Sequence, residues 1–237
     1  MSPPASKPAV FIISAPSGSG KSTLVNKLFD SVGELDFSIS YTTRAPRGSE
    51  ENGNQYFFVT RDEFERMIQA DEFLEYACVF DKDYYGTARR FLREAEEKHR
   101  DLLLDIDVQG AEQIKRKLPD AVSIFVLPPD RKTLEKRLRK RGEDKEEVIE
   151  RRLVTARREI ENYNKYDYIL VNDRLEESSA NLEAIVLAER LRRSGRSLSE
   201  SELSENDKKI LALAERSRLE NMRDRVKPIL DSFHREG

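Results

Sequence analysis

Short apolar runs alternate along this chain with longer segments whose apolar residues recur every three or four positions. That alternation predicts βαβ units built on a parallel sheet. Strands are expected at residues 10–14, 38–41, 56–59, 73–79, 102–106, 122–127 and 168–171. Two of them, "LLLDID" and "SIFVLPP", are apolar almost throughout, as strands covered on both faces should be. Helical spacing points to residues 23–31, 62–69, 87–98, 109–117 and 131–140. A longer helix is expected over 146–164, where Ile149, Leu153, Ala156, Ile160 and Tyr163 fall at spacings of four and three. Between Ser40 and Phe80 the pattern shifts to short strands with turns at Gly48 and Gly53, which reads as a small insert on the main sheet. After Arg193 the stretch "SGRSLSESELSEN" reads as a linker before a charged helical tail.

Charge changes that picture little. The 42 basic and 45 acidic residues nearly cancel, so no chain-wide field would recruit nucleic acid or a membrane. A single cysteine, Cys78, excludes an intrachain disulfide and fits a reducing compartment. No apolar run reaches the length of a membrane span, and the opening "MSPPASKPA" lacks the apolar core of a signal peptide. A cytoplasmic α/β protein is expected, with residues 1–8 as a disordered arm.

Candidate chemistry begins where the first strand runs into Ala15, Pro16, Ser17, Gly18, Ser19, Gly20, Lys21, Ser22 and Thr23. A glycine-rich turn that opens a helix aims backbone N–H groups and the positive end of the helix dipole at one spot. That spot suits phosphate, Lys21 can reach the outer phosphates, and Ser22 offers its hydroxyl to Mg²⁺. The strict phosphate-loop pattern asks for glycine where Ala15 stands, a place alanine can fill at negative φ. Further on, "SISYTTRAPRGSEENGNQYFFV" holds Ser40, Arg44, Arg47, Glu50 and Tyr56. Two arginines three apart can fork one phosphate, with Tyr56 and Tyr85 as hydroxyl donors, although a solvated charged loop reads the same way. Asp105 and Asp107 end a buried strand, where open α/β sheets bind ligands, but Asp107 is equally placed to cap the next helix.

The blocks "SAPSGSGKSTL", "SYTTRAPRGSEENGNQYFFV", "FLEYACVF…YYGT", "LLLDIDVQGA" and "YDYILVND" follow the order found in guanylate kinases. From about residue 10 to about 193 the chain resembles a bacterial guanylate kinase, a P-loop nucleoside monophosphate kinase. The resemblance implies a P-loop NTPase-type parallel sheet flanked by helices. A GMP-binding insert would lie at about 38–88 and a helical lid at about 137–158, within a domain of 9–194. Residues 195–237 would form a linker and helical extension. It implies transfer of the γ-phosphoryl group of ATP to GMP with Mg²⁺, giving GDP and ADP. Ser40 and Glu75 would read guanine, with Thr87 and Asp107 finishing the polar rim. Arg44, Arg47, Tyr56 and Tyr85 would hold the GMP phosphate, with Glu50 orienting the arginines. Asp105 would hold the metal through water, Arg137, Arg141 and Arg152 would close on ATP, and Asn172 would lie near adenine. Lys21, Arg44, Arg141 and Arg152 would carry the catalysis. The stretch "VFDKDYYG" is one residue longer than the usual family spacing, which leaves the alignment of Asp81 to Asp83 open.

Two rivals stand beside that implication: a P-loop kinase of another phosphorylated acceptor such as a ribose bisphosphate, and a non-catalytic peptide-binding module of the same fold. Ser40 with Glu75 favours guanine over the first, and the intact Gly20-Lys21-Ser22 argues against the second. ATP and GMP are the expected partners, with dGMP and the choice between monomer and homo-oligomer open. In the tail, Leu219, Met222, Val226, Ile229 and Phe233 form one apolar stripe, interrupted at Pro228. A stripe that short has to pack on something, and the chain's own core or a second copy is favoured over a dedicated partner. Loss of everything after Arg193 is expected to leave kcat within a few-fold and to change solubility, stability or association.

Overall fold

The computed structural model describes residues 7–79, 82–140, 145–195, 198–199 and 201–234. Along them run β1 (Val10–Ser14), α1 (Lys21–Ser31), β2 (Leu35–Ser38), β3 (Tyr41–Thr42), β4 (Phe57–Phe58), α2 (Arg61–Gln69), β5 (Phe73–Val79), β6 (Asp83–Ala88) and α3 (Arg89–Glu97). There follow β7 (Asp101–Asp105), α4 (Val108–Lys117), β8 (Val122–Leu127), α5 (Arg131–Lys140), α6 (Glu146–Ile160), β9 (Tyr168–Val171), α7 (Leu175–Arg193), α8 (Glu205–Glu215) and α9 (Leu219–His234). One sheet has the order β2-β7-β1-β8-β9, with β2–β7 and β8–β9 parallel. A smaller sheet, β4-β3-β6-β5, is antiparallel at β3–β6 and β5–β6. β1, β8 and β9 are buried at every position, which is why their sequences run apolar without alternation.

The chain divides into two compact units. The first holds Ile13–Gly33 and everything from Ser123 onward; the second holds Lys7–Ile12 and Glu34–Val122. In the first, α7 packs on both α1 and α8. In the second, Phe64 stacks on Phe73 at 4.4 Å and on Tyr84 at 5.1 Å, pinning α2 to the small sheet. α2 starts with a full capping box: the Thr60 side chain accepts from the Glu63 N–H while Glu63 reaches back to the Thr60 N–H.

Several expected elements change shape. The strand expected at 38–41 divides into the end of β2 and the start of β3, because Ser38 pairs with Leu104 in one sheet and Tyr41 with Gly86 in the other. β7 begins and ends one residue earlier than expected. Helix α3 starts at Arg89, since Thr87 and Ala88 still pair with β5; the strand they finish, β6, is absent from the sequence reading. The helix expected over 146–164 ends at Ile160, and a 3₁₀ turn takes Tyr163–Lys165. Helix α7 was not anticipated. Its buried set, Ser178, Leu182, Ala184, Ile185, Val186, Ala188 and Glu189, is too broad for one stripe, as befits a helix packed from two sides.

The tail packs on the chain's own first unit. Met222, Val226, Ile229 and Phe233 are buried while Leu219 is half-buried, and α9 lies against α5, α6 and β9. The helix runs through Pro228, which is exposed. The turn before α9 pairs with β9, an edge strand of the large sheet: the Ile169 N–H donates to the Ser217 carbonyl (2.8 Å) and the Leu219 N–H to the Asp167 carbonyl (3.1 Å). An edge that would otherwise offer unpaired backbone groups is thereby covered. Ile229→Ala should therefore lower the unfolding free energy by about 2–5 kcal/mol, the cost of truncating a buried aliphatic side chain. Urea unfolding should show this as a lower midpoint at unchanged slope; an unchanged midpoint would mean that the stripe is not part of the core.

Candidate active site

In the first unit, β1 delivers the chain into the glycine turn. Gly18 and Gly20 have φ of 91° and 88°, the left-handed region that favours glycine. Side chains also pack close to both positions. A Cβ on Gly18 would come within 2.9 Å of Leu138 and 3.0 Å of Leu134, and one on Gly20 would run into the Asn172 amide. Helix α1 begins at Lys21 on Gly20 with no side-chain cap, the condition under which first-turn N–H donors can serve an anion. Lys21 and Ser22 are its first two residues, and Ser22 and Thr23 are exposed. Ala15 keeps negative φ, as the sequence required of it.

A loop that turns its N–H groups outward turns carbonyls inward, and Ser19 shows how these are satisfied. Its carbonyl accepts from the Asn172 side-chain amide at 2.7 Å and from Arg137 at 3.4 Å. Arg137 also donates to the Asn172 carbonyl at 2.8 Å. Asn172, expected near adenine, is only 5% exposed and spends its amide as a brace under the loop. Arg137 likewise grips backbone oxygens. The Ser19 hydroxyl is buried and has no hydrogen-bond partner.

The second unit holds the anion-binding and base-reading candidates. Arg44, 9% exposed, donates through Nε to the Tyr85 hydroxyl (3.1 Å), through Nη2 to Glu50 (3.0 Å) and through Nη1 to the Ala45 carbonyl (2.7 Å). The guanidinium lies over the Tyr56 ring at 5.3 Å. Glu50 also accepts from the Arg47 N–H at 2.8 Å, and Arg44 holds its carboxyl below the usual range. Burial pushes the Tyr56 phenol up, so it remains a hydroxyl donor at neutral pH. Ser40 sits just before β3, its carbonyl accepting from the Phe57 N–H at 2.9 Å.

Glu75 lies inside β5 and is 5% exposed. Thr87, its cross-strand neighbour on β6, donates to it at 2.7 Å. Desolvation pushes its carboxyl up to about 7, the Asp107 charge adds to the rise, and the Thr87 bond partly opposes it. Gly110 on α4 makes room: a Cβ there would approach Glu75 Oε2 to 2.8 Å. Asp107 takes the capping role left open by the sequence, its side chain accepting from the Gly110 N–H at 2.8 Å.

Asp105 is the last residue of β7 and half-buried; Arg152 lies on α6, also half-buried. Arg141 and Asp81 lie outside the described residues, as do residues 1–6 of the expected arm and parts of the linker. Sequence reasoning missed the groups that position these side chains. Thr42 donates to the Tyr84 carbonyl and accepts from the Arg44 N–H at 3.1 Å, and the Thr43 hydroxyl accepts from the Tyr84 N–H at 2.9 Å. On α4, Gln113 exchanges hydrogen bonds with the Tyr76 backbone and Lys117 donates to the Leu74 carbonyl at 2.6 Å, flanking Glu75 on both sides. The spacing of Gly110, Gln113 and Lys117 on one helix face was the available signal.

The family model for guanylate kinase matches residues 7–189. A guanylate kinase of Koribacter versatilis is 59% identical over 227 residues, covering 94% of this chain and 95% of its own length. One from Xylella fastidiosa is 47% identical over 184 residues, covering 78% of this chain and 90% of its own. The crystal structure of guanylate kinase from Anaplasma phagocytophilum aligns with a TM-score of 0.64 at 35% identity, covering 78% of this chain and 88% of that one. With the parallel sheet and its flanking helices, that likeness gives the fold as P-loop NTPase type. By sequence over three-quarters of its length and by fold, the chain belongs to the guanylate kinase family.

Proposed function

We propose that this protein transfers the γ-phosphoryl group of ATP to GMP, giving ADP and GDP, in the cytoplasm. The observation that carries the choice of acceptor is the buried Glu75 carboxylate, held by Thr87 in the unit that also holds the Arg44, Glu50 and Tyr85 cluster. Guanine presents N1–H and an exocyclic amine side by side, and one ionised carboxylate can accept both. Adenine has no N1 hydrogen and would leave a buried lone pair unpaired, a penalty that rejects it. Ser40 and Asp107 complete the polar rim. Arg44, Arg47, Tyr56 and Tyr85 bind the GMP phosphate; Glu50 and Tyr85 keep the Arg44 fork oriented before substrate arrives.

ATP is assigned to the glycine loop. The first-turn N–H groups of α1 and Lys21 bind its phosphates, and Arg137 with Asn172 keeps the loop in the shape that exposes those donors. Arg152, and Arg141 by the family resemblance, add positive charge toward the transferring group. Oxygen donors of the kind Mg²⁺ prefers are available in the exposed Ser22 hydroxyl and the Asp105 carboxylate. When bound, the metal supplies further neutralisation of phosphate charge. No residue need act as a general base, since the nucleophile is a GMP phosphate oxygen already ionised near neutral pH. Catalysis is positioning plus charge neutralisation.

Lys21→Met should lower kcat by about a thousandfold or more, an electrostatic loss of several kcal/mol, while leaving the thermal midpoint nearly unchanged. A variant that keeps a tenth of the wild-type turnover would remove the loop lysine from the reaction.

The raised Glu75 carboxyl sets a pH dependence for binding. About a tenth of it is ionised at pH 6 and about nine-tenths at pH 8, so GMP affinity should rise roughly tenfold over that interval. Glu75→Gln should lower affinity and flatten the rise, leaving only the part due to the ligand phosphate. Calorimetric titration with GMP across that range checks both statements; parallel pH profiles for the two proteins would show that Glu75 does not read the base.

The same group sets a stability dependence in the unliganded protein. A carboxyl whose folded pKa lies above the unfolded value of 4.5 binds more protons when folded. Its contribution is favourable at low pH and is lost as pH rises toward 7, by about 3 kcal/mol in full. Glu75→Gln should therefore gain stability relative to wild type between pH 5 and pH 8 in thermal melts without ligand. A constant difference across that range would mean that the carboxyl titrates normally.

A further inference from the structure

The extension after Arg193 is fastened to the two helices that serve the ATP side. Helix α9 lays its buried stripe on α5, α6 and β9. At its end, the Ser232 hydroxyl accepts from the N–H of Arg131, the first residue of α5, at 3.0 Å, and donates to the Ile229 carbonyl at 2.6 Å. One of the N–H groups that a helix N-terminus leaves unpaired is thus capped from the tail, while Asp130 caps that of Thr133 at 2.6 Å. Two residues on, Arg157 near the end of α6 donates to His234 Nδ1 at 2.8 Å. The tail therefore grips the start of α5 and the end of α6, the two far ends of the segment that carries Arg137, Arg141 and Arg152.

What α5 does for the phosphate loop makes this grip consequential. Arg137 holds the Ser19 and Asn172 carbonyls, and Leu138 and Leu134 pack against Gly18, 2.9 and 3.0 Å from where its Cβ would be. A side chain in such a brace works only while its helix stays within a fraction of an ångström. We infer that α9, through Ser232 and the buried Phe233, is a positioning element for ATP: it fixes α5 and α6 so that the phosphate loop keeps its binding shape. The alignment with the Koribacter relative covers 94% of this chain and so runs through most of the extension, whereas that with the Xylella relative covers 78%.

The inference rests on the assignment of ATP to the glycine loop, and the test separates the two. In the full chain, Ser232→Ala with Phe233→Ala should raise KM for ATP by about tenfold, in line with losing a cap and a core contact, while kcat stays within about twofold and KM for GMP is unchanged. Ser232→Thr, which keeps the hydroxyl, should retain wild-type constants. Should the double variant fail to fold, Ser232→Ala alone should raise KM for ATP about threefold with the same selectivity. A folded variant with unchanged KM for ATP, or with both KM values raised together, overturns the inference by reducing the tail to general stabilisation. Arg137→Ala is the control. If it too leaves ATP affinity unchanged, the ATP assignment itself falls; if it weakens ATP and the tail variants do not, only the role of α9 falls.

Discussion

A phosphate loop has to face its N–H groups toward the ligand, and each peptide that does so points a carbonyl back into protein. Buried carbonyls must find donors, because water cannot reach them and an unmade hydrogen bond there costs about 1–3 kcal/mol. The Ser19 carbonyl is where that constraint falls, and two donors answer it, Asn172 from the end of β9 and Arg137 from the middle of α5. Both come from residues more than a hundred positions further along the chain. Much of the first unit follows from this. β9 has to end beside the loop, α5 has to hold its register, and α9, which touches both elements, acquires a task beyond covering apolar surface.

The second unit poses the opposite problem, a buried carboxyl inside a strand. Burial holds the ionised form of Glu75 at a disadvantage; hydrogen bonding from Thr87 partly offsets this and the Asp107 charge adds to it. That is a cost to the empty protein, and on the proposed reading of Glu75 it is also the source of selectivity, because a base that supplies two donors would relieve it and a base that supplies none would not. The surrounding rigidity keeps the carboxylate from escaping the problem by moving. Gln113 and Lys117 hold the β5 backbone on either side of it, and Gly110 brings α4 close enough to do so.

How much of this was legible depended on range along the chain. The glycine loop, Lys21 and the strand before it are written in consecutive residues, and β1, β5, β8, β9 and α5 stand where the apolar runs put them. The Arg44 cluster was readable because its members crowd into one short stretch. What stayed hidden lay in pairings between distant segments. The task of Asn172 depends on Ser19, 153 residues earlier, and no local pattern announces it. Thr87 and Ala88 read as a helix start because their strand partner, β5, is separated from them by a turn, and tertiary pairing overrode local preference. Helix α7 was lost for a related reason: burial from two sides erases the polar face by which an amphipathic helix is recognised.

The arginine-rich run through α5 and α6 illustrates why charge counting says little about local electrostatics. Arg139 is paired with Glu135 and Glu146, Arg131 lies near Glu135 and Glu150, and Arg157 near Glu161. The exposed ones among these, such as Arg139–Glu146 and Arg157–Glu161, add little stability each. They do, however, neutralise much of a segment that would otherwise be strongly cationic. Arg137 is set apart because, among the described residues, its partners are the Ser19 and Asn172 carbonyls, which carry no formal negative charge. A chain with net charge −3 can thus hold an arginine whose described partners are neutral carbonyls while its neighbours on the same helices are matched with carboxylates.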